Sequence, residues 1–232
     1  MPSESDLDAL RARWEATQDG ETGLAYGEAL EEANDVDAAK RVYRKLEELE
    51  YPAGLTSLAW VEHLAENFDA ADALMEKALL WYGDDDDEDG ALAAGVLGHW
   101  RWHIFNRTDA EELLRRGMHM YPDARADLAD LLRATDRIDD AESLLREGVA
   151  LAEKSSFIVL GNILQDSGRV DEAEEIYARG YDLGDAYCAY NLARMLCGLE
   201  RHEEESDWMW KAAAGGDEWA IEALAGEAVE DE

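Results

Sequence analysis

The sequence predicts an all-α protein built from successive helical hairpins, and three observations carry that expectation. A pair of one larger and one small residue recurs seven times: Tyr26-Gly27, Leu58-Ala59, Leu97-Gly98, Leu128-Ala129, Leu160-Gly161, Leu192-Ala193 and Leu224-Ala225. Twelve residues after the first six small residues stand Ala39, Ala71, Ala110, Ala141, Ala173 and, as the one exception, Glu205. Around these markers apolar residues recur at three- and four-residue spacing, the period of a helix with one buried face.

Each element follows from local chemistry. Residues 1–20 read as an N-terminal capping helix, with Ser5 and Asp8 in capping-box spacing and Leu7, Leu10 and Trp14 on one face. Residues 21–226 read as six hairpins. Their second helices carry the apolar pairs Val42-Tyr43, Leu74-Met75, Leu113-Leu114, Leu144-Leu145, Ile176-Tyr177 and Trp208-Met209. Gly or Ala stands wherever two helix backbones must approach closely. Asn34-Asp35, Asn67, Asp136, Ser167-Gly168 and Glu200 fill the slots where the first helices end. Successive Ala-position markers lie 32, 39, 31, 32 and 32 residues apart, and the long interval contains the acidic run 83–90, expected as a solvated loop. A terminal repeat needs a polar outer face, so Trp219, Ile221 and Leu224 are expected to cover the last hairpin, ahead of an acidic tail at 227–232.

With these markers in register, the chain resembles the tetratricopeptide repeat over about residues 21–226. Its C-terminal third is similar to the related Sel1-like repeats, through Arg179-Gly180, Gly184-Asp185 and Asn191-Leu192-Ala193, then Lys211-Ala212-Ala213, Gly216-Asp217 and Leu224-Ala225. The resemblance implies a right-handed α-α superhelix, usually without an active site, that binds a peptide or domain on its concave face. Three departures stand out: Glu62 and Arg101 occupy positions that are normally apolar, and Glu205 replaces Ala.

Composition narrows the partners. Fifty-six Asp and Glu against 21 Lys and Arg give a formal net charge of -35, which opposes direct binding to nucleic acid or an anionic membrane. The apolar content, 47% with eight Trp, is that of a folded chain rather than a disordered acidic tail. No stretch approaches a membrane span and the first residues lack the pattern of a signal peptide, so a cytoplasmic location is expected. Cys188 and Cys197 lie nine apart in one helix, beyond disulfide reach. The charge has three readings: salt adaptation, steering toward a basic protein, or mimicry of nucleic acid. The second would make the chain an acidic inhibitor of immunity or antitoxin type, neutralising a basic nuclease or DNA-binding protein.

The first-helix residue after each small marker, and the one three beyond it, should share the concave face. That projection gives Glu28, Trp60, His99, Asp130, Asn162 and Arg194, then Glu31, His63, Trp102, Arg133, Gln165 and Cys197. Trp60, His63, His99, Trp102, Arg133, Asn162 and Arg194 are the expected partner-binding residues, being the aromatic, basic and amide side chains of an acidic protein. Trp60, Trp100 and Trp102 could equally fill the core between hairpins. The clamp of Lys, Asn and Arg by which some relatives of the repeat hold a terminal carboxylate is represented only by Asn162, Asn191 and Arg194, so chaperone-tail docking is not expected. His99 and His103 share a helix face but have no third ligand nearby in sequence, and Asp85, Asp87, Asp89 and Gly90 start a calcium-loop pattern that fails at Val96. No catalytic triad, phosphate loop, cofactor site or metal site is expected.

Overall fold

The computed structural model describes residues 2–83 and 87–230, the side chains of 227–230 excepted. Among them the chain forms fourteen helices and no strand. The helix α1 (Glu4–Thr17) precedes six hairpins: α2 (Gly20–Glu32) with α3 (Val36–Glu48), α4 (Pro52–Leu64) with α5 (Phe68–Tyr82), α6 (Glu88–His103) with α7 (Ala110–Gly117), α8 (Ala124–Ala134) with α9 (Ile138–Ala150), α10 (Lys154–Asp166) with α11 (Val170–Asp182), and α12 (Ala186–Gly198) with α13 (His202–Ala214). Helix α14 (Glu218–Glu230) follows. The chain divides into two compact units, one ending at Ala124 and the other starting at Arg125.

In the first unit, α1 begins two residues earlier than its sequence suggests. Ser3 caps it: its Oγ accepts from the Asp6 N–H, and the Asp6 carboxylate accepts from the Ser3 N–H at 3.0 Å. Ser3 and Asp6 have the same spacing as Ser5 and Asp8, and the earlier pair wins because it satisfies more of the chain's amide donors inside a helix. Trp14 is buried in one cluster with Leu30, Val42, Tyr43 and Leu46 of the first hairpin.

The Ala markers of the second helices, Ala39, Ala71 and Ala110, have no exposed surface. First helices end by a shared device. Asn34 and Glu66 adopt left-handed backbone, and the next N–H reaches back to the carbonyl five residues earlier, Asp35 to Leu30 at 2.8 Å and Asn67 to Glu62 at 2.9 Å. Asn67, expected in the terminating slot, instead caps the start of α5, and its side chain donates to the Glu62 carboxylate at 2.8 Å. Glu62 is thereby accommodated despite its apolar position, with Lys40 of α3 as its second partner at 2.9 Å. The neighbouring departure is resolved in the same way. Arg101 of α6 makes a two-pronged bond to Asp72 of α5, at 2.8 and 3.0 Å, and meets Glu76 at 3.1 Å.

The acidic loop is shorter than 83–90, because Glu88, Asp89 and Gly90 form the first turn of α6 with Gly90 buried. Two acidic residues at a helix N-terminus complement its dipole, which favours helix over loop there. Residues 84–86 lie outside the described residues.

The second unit repeats the grammar, with Asp136, Gly168 and Glu200 in left-handed backbone and Ala141 and Ala173 sealed. Arg125, 1% exposed, bonds Glu153 at 2.7 Å and Glu147 at 3.4 Å. Helix α14 covers the last hairpin through a face different from the expected one. Ala220 is sealed and Leu224 half-buried, whereas Trp219 (64% exposed) and Ile221 point outward. Four-residue spacing from Ala220 selects Leu224, and the larger apolar residues lie off that stripe. The described backbone of α14 runs to Glu230, so the segment taken as a tail from residue 227 is helical up to there; residues 231 and 232 lie outside the described residues.

Candidate functional site

A cavity of the first unit lies along its first helices. Leu24 and Glu28 of α2, Ala53, Thr56, Ser57 and Trp60 of α4, and Asp89, Leu92, Ala93 and Val96 of α6 line a groove of about 430 Å3, with Met75, Tyr82, Tyr121 and Pro122 at its floor and ends. The repeat produces it directly. Each first helix brings an i, i+4 pair to the same wall, Leu24 with Glu28, Thr56 with Trp60 and Leu92 with Val96.

Trp60 is the groove's large exposed aromatic, at 40% accessible. Its ring stands edge-on to the buried Trp100, centroids 5.1 Å apart at 82°, and edge-on to His63 at 5.7 Å. His63 in turn stacks flat on Trp100 at 4.3 Å and meets Phe68 edge-on. These ring contacts brace Trp60 on one side. Burial, and to a smaller degree the proximity of His99, holds His63 below the ordinary imidazole range, so the ring is neutral at pH 7; its Nδ1 has no hydrogen-bond partner.

The groove's charge is negative. Burial first, then the carboxylates of Glu31 and Glu32, pushes Glu28 up from the usual range. Glu31 itself accepts a short hydrogen bond from the buried Tyr43 hydroxyl. No Lys or Arg is among the described lining residues.

The other expected site residues fare differently. Trp102 is buried (9% exposed), because α6 is enclosed around most of its circumference and the three-residue step past His99 finds no open face. His99 is half-buried, its ring 4.6 Å from His103 and 5.6 Å from Tyr121. In the second unit Arg133 lines a separate cleft with Ile138 and Ile163, where Asp130 (3.1 Å) and Asp166 (3.3 Å) neutralise it. Asn162 accepts from the Tyr177 hydroxyl at 2.6 Å, which commits its carbonyl to packing within the hairpin. Arg194 is exposed over the Tyr190 ring.

Sequence projection therefore finds Glu28 and Trp60 but misses Leu24, Thr56, Leu92 and Val96. Helical side chains lean toward the helix N-terminus, and the wall continues on that side of the marker position, four residues before it on α2 and α4 and three and seven before His99 on α6, rather than three after it.

With the geometry in place, comparison with known proteins supplies the relationship. A tetratricopeptide-repeat family model matches residues 123–156. No curated protein sequence matches the chain. Among solved structures, the pilF protein of Pseudomonas aeruginosa is similar at 15% identity and a TM-score of 0.65, covering 90% of this chain and 97% of that one. PilW, a type IV pilus biogenesis factor, gives 12% identity and a TM-score of 0.67 over 88% of this chain and 98% of that one. A Sel1 repeat protein from Oxalobacter formigenes gives 18% identity and a TM-score of 0.62, over 88% and 89%. The chain has the all-α helical-hairpin fold of these repeat structures, and residues 123–156 match a tetratricopeptide repeat.

Proposed function

We propose that the chain is a non-catalytic protein-interaction module whose first unit binds a short segment of a partner protein, apolar at its centre and cationic at its flanks. The observation that carries this reading is the groove itself: apolar along its walls, anchored by a braced Trp60 and edged by Glu28 and Asp89. Tryptophan in such a setting gives large contact area at small entropic cost, while carboxylates select the sign of the flanking charge. Helical repeats of this family are typically scaffolds for such interactions. Among the described residues no helix is long and apolar enough to cross a membrane. The unpaired Cys188 and Cys197 fit a cytoplasmic setting.

Selection of peptides from a random library against the full chain tests the proposal. Enriched sequences should carry an aromatic or aliphatic centre beside Arg or Lys. Trp60→Ala should weaken the selected peptide by about 2 kcal/mol, roughly 30-fold. Selection of acidic peptides, or binding indifferent to Trp60, would remove the reading.

Glu28→Gln should act in opposite directions on binding and stability. Binding of the cationic peptide should weaken several-fold. Stability at pH 7 should rise by less than about 1 kcal/mol, given the solvent exposure of the group. The sign follows from linkage: a carboxyl whose folded pKa lies above its unfolded value, about 4.3, costs stability once ionised. The gain should disappear below about pH 4, where both states hold the proton, and urea titrations at two pH values measure it.

A second reading, the acidic inhibitor of a basic protein, is favoured by the net charge of -35. It differs in its outcome: binding would collapse with added salt and ignore Trp60.

A further inference from the structure

The last hairpin contains a constellation unrelated to the groove. Where five hairpins carry a sealed alanine, Ala39, Ala71, Ala110, Ala141 and Ala173, the sixth carries Glu205. The Glu205 Oε2 lies 2.9 Å from Nδ1 of His202, one turn earlier on α13. The Cys197 thiol, at the end of α12, lies beside the same carboxylate. One potential ligand atom from each of the three residues lies within 4.8 Å of the other two. They border a cavity of about 400 Å3 completed by Ser206, Met209 and Leu224.

Packing does not account for this set. Alanine serves the packing role in the other five hairpins, so the fold does not call for a carboxylate here.

We propose that Cys197, His202 and Glu205 form a three-ligand site for zinc or a similar borderline divalent cation, with a fourth position open to water or an external ligand. One thiolate, one imidazole and one carboxylate make a donor set that suits zinc, while calcium and magnesium require oxygen ligands. The backbone between the ligands is fixed: Glu200 adopts left-handed backbone and the Arg201 N–H bonds the Leu196 carbonyl at 3.0 Å, which places the end of α12 against the start of α13. Zinc–ligand bonds of about 2.0–2.3 Å in a tetrahedron put ligand atoms about 3.3–3.8 Å apart. The three ligand atoms, within 4.8 Å of one another, lie near that spacing, with Cys197 and His202 exposed and Glu205 half-buried. Binding displaces the thiol proton to solvent, leaving thiolate, imidazole and carboxylate on the metal.

The test uses the full chain, stripped with chelator and kept under a non-chelating reductant. Equilibrium dialysis against zinc alone should give one tight equivalent, and Cys197→Ser, His202→Ala and Glu205→Ala should each weaken it at least about tenfold. Glu205→Ala restores the residue used in the other hairpins, so it should fold, and circular dichroism checks this. Cobalt in place of zinc should show a thiolate-to-metal charge-transfer band that Cys197→Ser abolishes. The proposal fails if the wild-type chain retains no zinc, if all three variants retain it as well as the wild type, or if cobalt shows no thiolate band. Retention by the variants would mean diffuse capture by surface carboxylates. The outcome is independent of the groove.

Discussion

Asp72→Ala is expected to cost the first unit about 3–5 kcal/mol, among the largest effects of any single polar substitution in the chain. The Arg101 side chain is only 8% exposed, and Asp72 supplies both prongs of its main bond. Burial opposes the guanidinium charge, but hydrogen bonds to Asp72 and Glu76 more than offset it and hold the group firmly ionised. Removing Asp72 therefore strands a buried cation with Glu76, a far more exposed partner, as its nearest direct ion pair. Combining Asp72→Ala with Arg101→Met should recover most of the loss, because an apolar side chain of similar length needs no counter-charge. Urea unfolding of the two variants measures this, and a loss under about 1 kcal/mol for the single variant would show that water reaches Arg101.

Gly117→Ala is expected to destabilise the third hairpin by about 1–3 kcal/mol, and Gly117→Val by more. A Cβ at position 117 would lie 2.2 Å from the Gly95 Cα, 2.3 Å from its nitrogen and 3.0 Å from the Ala91 carbonyl oxygen. These are backbone atoms, which cannot rotate aside, so α6 and α7 must separate and shift the Leu92–Val96 wall of the groove. Gly198→Ala provides the contrast. A Cβ there meets nothing within 4 Å, and the substitution should be neutral or stabilise by up to about 1 kcal/mol. Thermal melts of both variants read the difference; equal effects would show that the helix approach is not constrained by glycine.

The hairpins were legible because they rest on short-range repetition. A sealed Ala and a left-handed turn residue follow from spacing alone, and Ala71, Ala141, Asn34 and Asp136 occupy those roles. Registers within a helix were less legible. Ser3-Asp6 and Ser5-Asp8 offer the same capping pattern, and only the packed structure chooses between them. On α14 the largest apolar residues suggested the buried face, yet close packing admitted Ala220 and turned Trp219 outward. The groove was half-visible: Trp60 and Glu28 follow from the repeat, while Leu24 and Leu92 depend on the direction in which helical side chains lean. The Cys197, His202 and Glu205 set was hidden for another reason. Its members sit on two helices, and only the turn at Glu200 brings them to one point.

Amide chemical-shift mapping of the chain titrated with a library-selected peptide locates binding without presuming which contacts matter. Perturbed amides should cluster at 24–28, 56–60 and 92–96 on α2, α4 and α6, where the groove lies. Perturbations confined to α3, α5 and α7, or to the second unit, with those three stretches unchanged, would contradict binding in that groove.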